Sequence, residues 1–200
     1  MGVGEQRMRI IGGRFAGRRI AAPPGSSTRP TTDRVRESLM SAIISRMGED
    51  METARVLDPF AGSGALGLEA LSRGAVRATF VERDRKSFSV LKDNVRTLGV
   101  TEQATLVLGD ASSLLNGIVT GGPYSLILLD PPYTLDPTVV ERLLGGLLAA
   151  GAIDPDALIT WEHSSGVGVT WPSGFEPVAS KRYGSTSIDF AVVAEGERNS

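Results

Sequence analysis

The sequence predicts an α/β fold with a mostly parallel, doubly wound sheet, a C-terminal antiparallel hairpin and a small N-terminal β-hairpin extension. Short apolar runs alternate along the chain with segments whose apolar residues recur every three or four positions. This alternation is typical of the strands and helices of parallel sheets. Near the C-terminus two apolar segments follow each other with only a short turn between them, so they predict a closing antiparallel pair.

The first 28 residues are expected to form a basic β-hairpin and a linker. Apolar residues lie among glycines and arginines over residues 8–22, which favours a hairpin over a solvated, disordered tail. A proline-, glycine- and serine-rich linker follows at residues 23–27. The main domain is expected over residues 29–194, and a frayed tail over residues 195–200.

The main domain is expected to begin with a helix from Thr32 to about Arg46, because apolar residues four positions apart form one buried stripe. Arg34 and Arg36 are predicted to lie off this stripe. The later elements are predicted in this order: a strand to Asp58, a helix from Ser63, a strand to Glu82, a helix through Phe88 to Leu98, a strand to Leu108, a strand over Tyr124 to Leu129, a helix through Val140 to Leu147, a strand over Ala157 to Glu162, and a pair of strands over Phe175 to Tyr183 and Ser187 to Val193.

The charge of the chain is distributed unevenly. Residues 1–36 contain eight arginines, no lysine and only two acids, a net charge of +6. Because the whole chain has a net charge of −2, the remainder carries −8. This asymmetry indicates a nucleic-acid-binding arm in front of an acidic domain. Arginine is suited to that role because its planar guanidinium makes forked contacts to phosphate and stacks on bases.

The composition also excludes some classes of site. The chain has no cysteine, so it has neither disulfides nor a thiolate metal site, and we expect no bound metal. No run approaches the roughly 18 apolar residues of a membrane span, and the N-terminus lacks an apolar signal core. We therefore expect a cytoplasmic protein with no membrane partner.

Asp130-Pro131-Pro132-Tyr133 is the most informative motif. It comes directly after the apolar run 126–129 and should emerge at the carboxyl end of a buried strand, where open α/β sheets bind their ligands. Neither proline has an amide hydrogen, so the loop presents a carboxylate, carbonyls and one ring. Asp130 and the Pro131 carbonyl can each accept a hydrogen bond from a planar exocyclic amine while Tyr133 stacks on its base. Alternatively, the prolines merely end a strand and Asp130 caps the next element of the chain.

A second motif lies upstream, where Gly62, Gly64 and Gly67 come after Asp58. This spacing matches the dinucleotide-binding fingerprint, which permits a tight turn and a helix start that attracts an anion. On its own it is compatible with an NAD-dependent oxidoreductase.

Four successive predicted strands end in or just before an acid, namely Asp58, Glu82, Asp110 and Asp130. A single acid in such a place is often only a helix cap. Four in series indicate an edge that binds a ligand with several hydrogen-bond donors and little negative charge. S-adenosylmethionine fits this edge better than a pyrophosphate does, because its sulfonium and amino groups are cationic.

The sequence resembles the class I S-adenosylmethionine-dependent methyltransferases, and specifically the RsmD-like enzymes that methylate a guanine N2 in 16S ribosomal RNA. The resemblance rests on segments 9–13, 17–18, 29–37, 58–67 and 130–133. The Asp-Pro-Pro-Tyr motif is shared with DNA amino-methyltransferases, whereas the segment from Arg29 to Glu37 is more distinctive. The resemblance implies a Rossmann-like class I methyltransferase sheet.

The resemblance also implies roles for individual residues. Asp130, Pro131 and Tyr133 would handle the target base. The cofactor S-adenosylmethionine would contact the residues Asp58, Phe60, Gly62, Ser63, Gly64, Glu82, Asp110 and Asp130. The RNA-binding candidates are Arg9, Arg14, Arg18, Arg19, Arg29, Thr31, Arg34 and Arg36.

These assignments predict a monomeric enzyme whose partner is 16S ribosomal RNA or the small ribosomal subunit. Its reaction would transfer a methyl group from S-adenosylmethionine to a guanine N2, with an assembled particle as the expected substrate. Two alternatives remain open at this point. One is a DNA adenine-N6 or cytosine-N4 methyltransferase that uses the same tetrapeptide. The other is a non-catalytic RNA-binding assembly factor that retains the cofactor fold.

Overall fold

The structure is a computed structural model that describes residues 7–23, 33–48, 51–116 and 121–197. The N-terminal hairpin is present, with strands β1 (Arg7–Arg9) and β2 (Arg19–Ala21) paired antiparallel and Met8 opposite Ile20. A short 3-10 turn at Gly13–Phe15 lies between the two strands. The predicted boundary between hairpin and main domain, at residue 28, lies outside the described residues.

The main sheet has seven strands in the order β5-β4-β3-β6-β7-β9-β8. Strands β3 to β7 are mutually parallel, and β9 runs antiparallel between β7 and β8. The strands are β3 (Arg55–Asp58), β4 (Arg77–Glu82), β5 (Ala104–Leu108), β6 (Tyr124–Leu129), β7 (Ile153–Ser164), β8 (Phe175–Tyr183) and β9 (Thr186–Val193). The helices are α1 (Asp33–Arg46), α2 (Ala65–Ser72), α3 (Arg85–Leu98) and α4 (Pro137–Ala149). The predicted fold class is confirmed.

The strand order creates a crevice between β3 and β6. The chain runs outward from β3 through β4 to β5, returns to the other side of β3, and continues through β6 and β7. At such a reversal the connecting segments diverge, and the carboxyl ends of the two central strands border an open space. Asp58 and Asp130 lie at or just after those two ends.

Each face of the sheet has its own apolar core. One core contains buried residues of α1, α2 and α3 together with Ile10 and Ile20 of the hairpin. The other core contains buried residues of α4, whose Val140, Leu143 and Leu147 pack against the opposite face. The hairpin therefore packs as part of the first core, although the sequence suggests a separate basic arm.

Helix α1 corrects one prediction. Arg36 is only 3% exposed and lies on the buried side of the helix with Met40 and Ile43, so the prediction that it lies off the buried stripe is wrong. The reason is that the hairpin covers an additional side of α1. Arg36 Nη2 donates to the carbonyl of Arg9 at 3.0 Å and to Asp33 Oδ1 at 2.7 Å. Arg34 is exposed, as predicted.

A buried carboxylate joins the hairpin to α2. Glu69 has no exposed surface. Its two carboxylate oxygens accept hydrogen bonds from the backbone amides of Ile11 and Gly12, each with an N–O distance of 2.8 Å. Arg73 Nε donates to the same carboxylate at 2.9 Å. Buried carboxylates are tolerated where charge and hydrogen bonds are both matched, and this arrangement provides both. The hairpin loop is thereby fixed against the C-terminal half of α2.

A buried amide makes a second connection. Asn94 of α3 accepts the amide of Ala21 at 2.8 Å and donates to the carbonyl of the same residue at 2.9 Å, so it pairs with β2 as another strand would. Its Nδ2 also donates to the carbonyl of Ser63 at 2.9 Å. One side chain thus contacts both the hairpin and the loop that precedes α2.

We expect Glu69→Ala to lower the free energy of unfolding by about 2–4 kcal/mol, because the backbone amides of Ile11 and Gly12 and the Arg73 guanidinium lose their buried acceptor. Urea unfolding monitored by circular dichroism measures this change. Glu102→Ala, at an exposed acid, is the matched control and should change the free energy by no more than about 0.5 kcal/mol. Equal destabilisation by the two variants would contradict the anchoring role of Glu69.

Candidate active site

A large cavity of about 960 Å³ lies at the carboxyl ends of the parallel strands. It is bordered by the ends of β3 to β7, the hairpin, α1 and the turn between β8 and β9. Of the predicted cofactor and base contacts, all except Gly64 lie on its wall: Asp58, Phe60, Gly62, Ser63, Glu82, Asp110, Asp130, Pro131 and Tyr133. The structure therefore brings the two sequence motifs together in one space.

The glycine loop needs its glycines for two different physical reasons. Gly62 and Gly64 have φ of +54° and +83°, in the left-handed region that favours glycine. A Cβ at Gly62 would contact nothing within 4 Å, so this backbone is open to a ligand. A Cβ at Gly67 would lie 2.3 Å from the ring of Phe80, so Gly67 permits close packing of α2 on β4. Gly64 is the N-cap of α2, which begins at Ala65.

Two of the strand-end acids hold the glycine loop in place. Glu82 accepts the amide of Gly62 at 2.8 Å and the amide of Asp84 at 2.6 Å. Asp58 accepts the amide of Gly67 at 3.2 Å. Each carboxylate oxygen has a second lone pair, so Glu82 can bind the loop and still accept a hydrogen bond from a ligand hydroxyl.

The environment of Asp58 favours its neutral form. Asp58 is buried, and this burial raises its pKa to about 7, with further contributions from the negative charges of Asp130 and Glu82. The amide of Gly67 opposes the shift by stabilising the charged form. Asp58, Glu82 and Asp130, which lie close together at one sheet edge, therefore do not all carry a full charge at neutral pH.

Asp110 differs from the other three acids. It is exposed, and its Oδ1 accepts both the amide and the hydroxyl of Ser112, at 3.0 and 2.7 Å. These bonds lower its pKa, and so does the charge of Arg83, 4.0 Å away. Asp110 is therefore charged at neutral pH at the outer border of the cavity.

The Asp-Pro-Pro-Tyr segment comes directly after β6 and leads into a turn over residues 132–135, and residues 130–135 are called the Asp130 turn. Pro131 is buried and Pro132 is exposed, and the Pro132 carbonyl accepts the amide of Leu135 at 2.8 Å. Asp130 is half-buried, and desolvation raises its pKa to about 6. Tyr133 is 44% exposed, and its hydroxyl lies 3.0 Å from the hydroxyl of Thr186.

Glu162 is a fifth acid of this edge, and it is absent from the sequence-based site. It lies near the end of β7, is 6% exposed, and borders the cavity. Tyr133 donates to its Oε1 at 3.4 Å. Burial and the charge of Asp130 raise its pKa to about 8. The sequence signal that would have found it is the strand pattern Leu158 to Trp161, apolar except for Thr160, directly before it.

Arg36 lies on the cavity wall and not on the outer surface of α1. Its Nε and Nη1 are buried and have no hydrogen-bond partner among the described residues. Unpaired buried donors cost free energy unless a ligand pairs with them. Arg36 therefore offers two donors and a positive charge to an anionic group inside the cavity. This position differs from the phosphate contact that the sequence suggests.

The other predicted RNA-binding residues divide into two sets. Arg9, 63% exposed, pairs with Asp33 at 2.6 Å. Arg18 donates to the carbonyls of Thr97 and Leu98 at the end of α3. Arg14, Arg19 and Arg34 are exposed as well, and Arg14 contacts Gln103 and the ring of Phe15. Arg29 and Thr31 lie outside the described residues.

Within the described residues, no group of three or more acids or histidines is arranged to hold a metal ion. In the same part of the chain, no helix combines the length and the apolar character that crossing a membrane requires.

Comparison with known proteins identifies the family. The family model described as "Conserved hypothetical protein 95" matches residues 8–192. The chain belongs to this family. The match includes the hairpin, the glycine loop, the Asp130 turn and Glu162, so all the cavity-lining elements lie within the family region.

Several relatives and structural neighbours of this chain are named as methyltransferases. "Putative rRNA methyltransferase YlbH" from Bacillus subtilis (strain 168) is 38% identical over 90% of this chain and 96% of its own length. "Ribosomal RNA small subunit methyltransferase D" from Escherichia coli (strain K12) is 43% identical over 78% of this chain and 74% of its own. The solved structure "Putative methyltransferase yhhF from Escherichia coli" has a TM-score of 0.79 at 36% identity, and covers 94% of this chain and 98% of that one. The predicted resemblance to RsmD-like methyltransferases is confirmed.

Proposed function

We propose that this protein transfers a methyl group from S-adenosylmethionine to the exocyclic N2 of a guanine in 16S ribosomal RNA, with the small ribosomal subunit as substrate. One observation carries the proposal: the Asp130 turn and the glycine loop border the same cavity. The names of relatives that are 38% and 43% identical support ribosomal RNA as the substrate class.

The cavity has the donors and acceptors that S-adenosylmethionine requires. Glu82 and Asp110 both line the cavity, so Glu82 would accept hydrogen bonds from ribose hydroxyls and Asp110 would contact the adenine. The open backbone at Gly62 permits close approach of the methionine part. Arg36 has two buried donors, unpartnered among the described residues, for the methionine carboxylate. When bound, S-adenosylmethionine supplies an electrophilic methyl group on a sulfonium.

Asp130 and Pro131 would position the guanine amine. The amine lone pair is delocalised into the ring, and two acceptors on its hydrogens turn the nitrogen toward the methyl group. The lone pair would attack the methyl group that bound S-adenosylmethionine supplies, with the thioether as leaving group. The nitrogen then loses a proton to Asp130 or water. No strong base is required before methyl transfer, so positioning contributes most of the rate.

The arginines would bind the RNA backbone. Arg14, Arg19 and Arg34 are exposed, and guanidinium groups make forked contacts to phosphate that orient an RNA without reading its sequence. A guanine could reach Asp130 only if it is unpaired or flipped out of its stack. An assembled particle would present such a base in a fixed position.

The proposed function predicts formation of N2-methylguanosine. Labelled S-adenosylmethionine is incubated with the protein and with small subunits that lack the modification, and the RNA is digested and analysed by liquid chromatography and mass spectrometry. We expect N2-methylguanosine in the 16S RNA as the labelled product. N6-methyladenosine or N4-methylcytidine would instead show a different amine target, and absence of transfer would favour a non-catalytic assembly factor.

In the same assay, Asp130→Ala should lower turnover about 100-fold or more, because the amine loses one of its two acceptors. Its affinity for S-adenosylmethionine, measured by calorimetry, should change by less than about threefold. Loss of cofactor binding, with residual turnover in proportion to occupancy, would show that Asp130 holds the cofactor and not the base.

Arg36→Lys should lower the affinity for S-adenosylmethionine about tenfold, because an ammonium cannot reproduce the two donors of the guanidinium fork. Affinity is measured by calorimetry. Arg34→Lys, on the exposed side of the same helix, is the matched control and should leave cofactor affinity unchanged. If Arg36→Lys left the affinity for S-adenosylmethionine unchanged and weakened RNA binding, Arg36 would contact a phosphate of the RNA and not the cofactor.

A further inference from the structure

Glu162 lies beside Asp130 because of the strand register. Strands β6 and β7 are parallel, with Leu128 opposite Thr160 and Leu129 opposite Trp161. One residue further along each strand, Asp130 is opposite Glu162. Residues at the same register of adjacent strands point to the same side, and neighbouring strands lie about 4.8 Å apart. The two carboxyl groups therefore face the cavity as a pair.

Within the described residues, Glu162 has an unused hydrogen-bonding atom. Its Oε1 accepts the Tyr133 hydroxyl at 3.4 Å, whereas its Oε2 is buried and has no partner. The side chain borders the cavity and is more than nine-tenths buried. A buried polar atom without a hydrogen-bond partner is unfavourable unless a ligand supplies the missing hydrogen bond.

The groups around Glu162 favour its neutral form. Two groups act on it directly, the Asp130 carboxylate just after β6 and the Tyr133 hydroxyl on the following turn. Burial and the negative charge of Asp130 raise its pKa to about 8, against the weaker opposing bond from Tyr133. The other titratable or charged groups on the cavity wall are Arg36, Asp58, Glu82, Arg83, Asp84, Asp110 and Tyr183. At neutral pH Glu162 thus has one oxygen that accepts and one that donates.

We infer that Glu162 recognises the guanine edge next to the reacting amine, as a neutral carboxyl that accepts from N1–H and donates to O6. This inference rests on the proposed function. The bond from Tyr133 makes Oε1 the accepting oxygen, so the unpartnered Oε2 is the one that donates. The N2 amine, on the other side of N1, is left to Asp130 and Pro131. One carboxyl then specifies the base while its neighbour orients the nucleophile.

The pattern discriminates among bases that carry an exocyclic amine. On the Watson–Crick edge of guanine, N1–H beside the amine is a donor, and O6, the next group along that edge, is an acceptor. On the same edge of adenine, N1 is an acceptor and is followed by the C2–H group. On that of cytosine, N3 is an acceptor and is followed by O2, another acceptor. A neutral carboxyl forms two hydrogen bonds with guanine and only one with the others. Sites that hydrogen-bond a substrate strongly reject analogues that leave buried groups unpaired.

The test compares wild-type protein with Glu162→Gln and Glu162→Leu in single-turnover methyl transfer to unmodified small subunits, from pH 6 to pH 9. Gln reproduces the acceptor and the donor but cannot ionise. We expect it to retain the wild-type rate within about threefold at pH 7. The wild-type rate should fall above about pH 8, as Glu162 ionises and loses its donor, whereas the Gln variant should show no alkaline fall. Leu should lower the rate about 100-fold.

Three controls separate this role from a structural one. Affinity for S-adenosylmethionine and the midpoint of thermal unfolding should match the wild type in both variants. Glu176→Gln, at an exposed acid of β8, should retain the wild-type rate and its alkaline fall. If Gln is as inactive as Leu and the wild-type rate rises through pH 8, Glu162 acts as a base and the inference is overturned. Transfer by wild type and Leu at equal rates also overturns it. Absence of transfer by wild-type protein overturns the proposed function, and with it this inference.

Discussion

The buried Glu69 carboxylate is the interaction on which the arrangement of this molecule most depends. It holds the backbone of Ile11 and Gly12 against α2 and is itself paired with Arg73. The N-terminus of the same helix comes directly after the glycine loop. The basic hairpin and the cofactor loop are therefore attached to opposite ends of one eight-residue helix. That attachment helps to fix the hairpin arginines relative to the cavity.

The candidate site concentrates acids at one sheet edge, and the fold limits the resulting repulsion in two ways. Backbone amides from the glycine loop pair with Asp58 and Glu82. Burial keeps part of the set neutral, since the pKa values of Asp58, Asp130 and Glu162 are all raised. Such unequal ionisation of neighbouring carboxyls is a common property of catalytic sites, where one acid accepts and another donates.

Local patterns in the sequence predict much of this structure. The strand at 124–129, the glycine loop and the Asp130 turn are each encoded by contiguous residues, so their positions follow from short-range rules. Short-range rules do not predict the positions of Arg36 and Glu162, because these positions depend on long-range packing. The hairpin, remote in sequence from Arg36, buries that side chain. The β6–β7 register places Glu162 beside Asp130, although 31 residues lie between them.

Asn94 joins β2 to the carbonyl of Ser63 through a single amide group. The hairpin and the loop that precedes α2 therefore share one hydrogen-bonding side chain. Thermodynamic linkage is reciprocal: where a ligand on one element changes the affinity of the other, the reverse effect has the same factor. Displacing the hairpin would break the Asn94 pairing with β2, and the group that also bonds the Ser63 carbonyl would lose its anchor on that side.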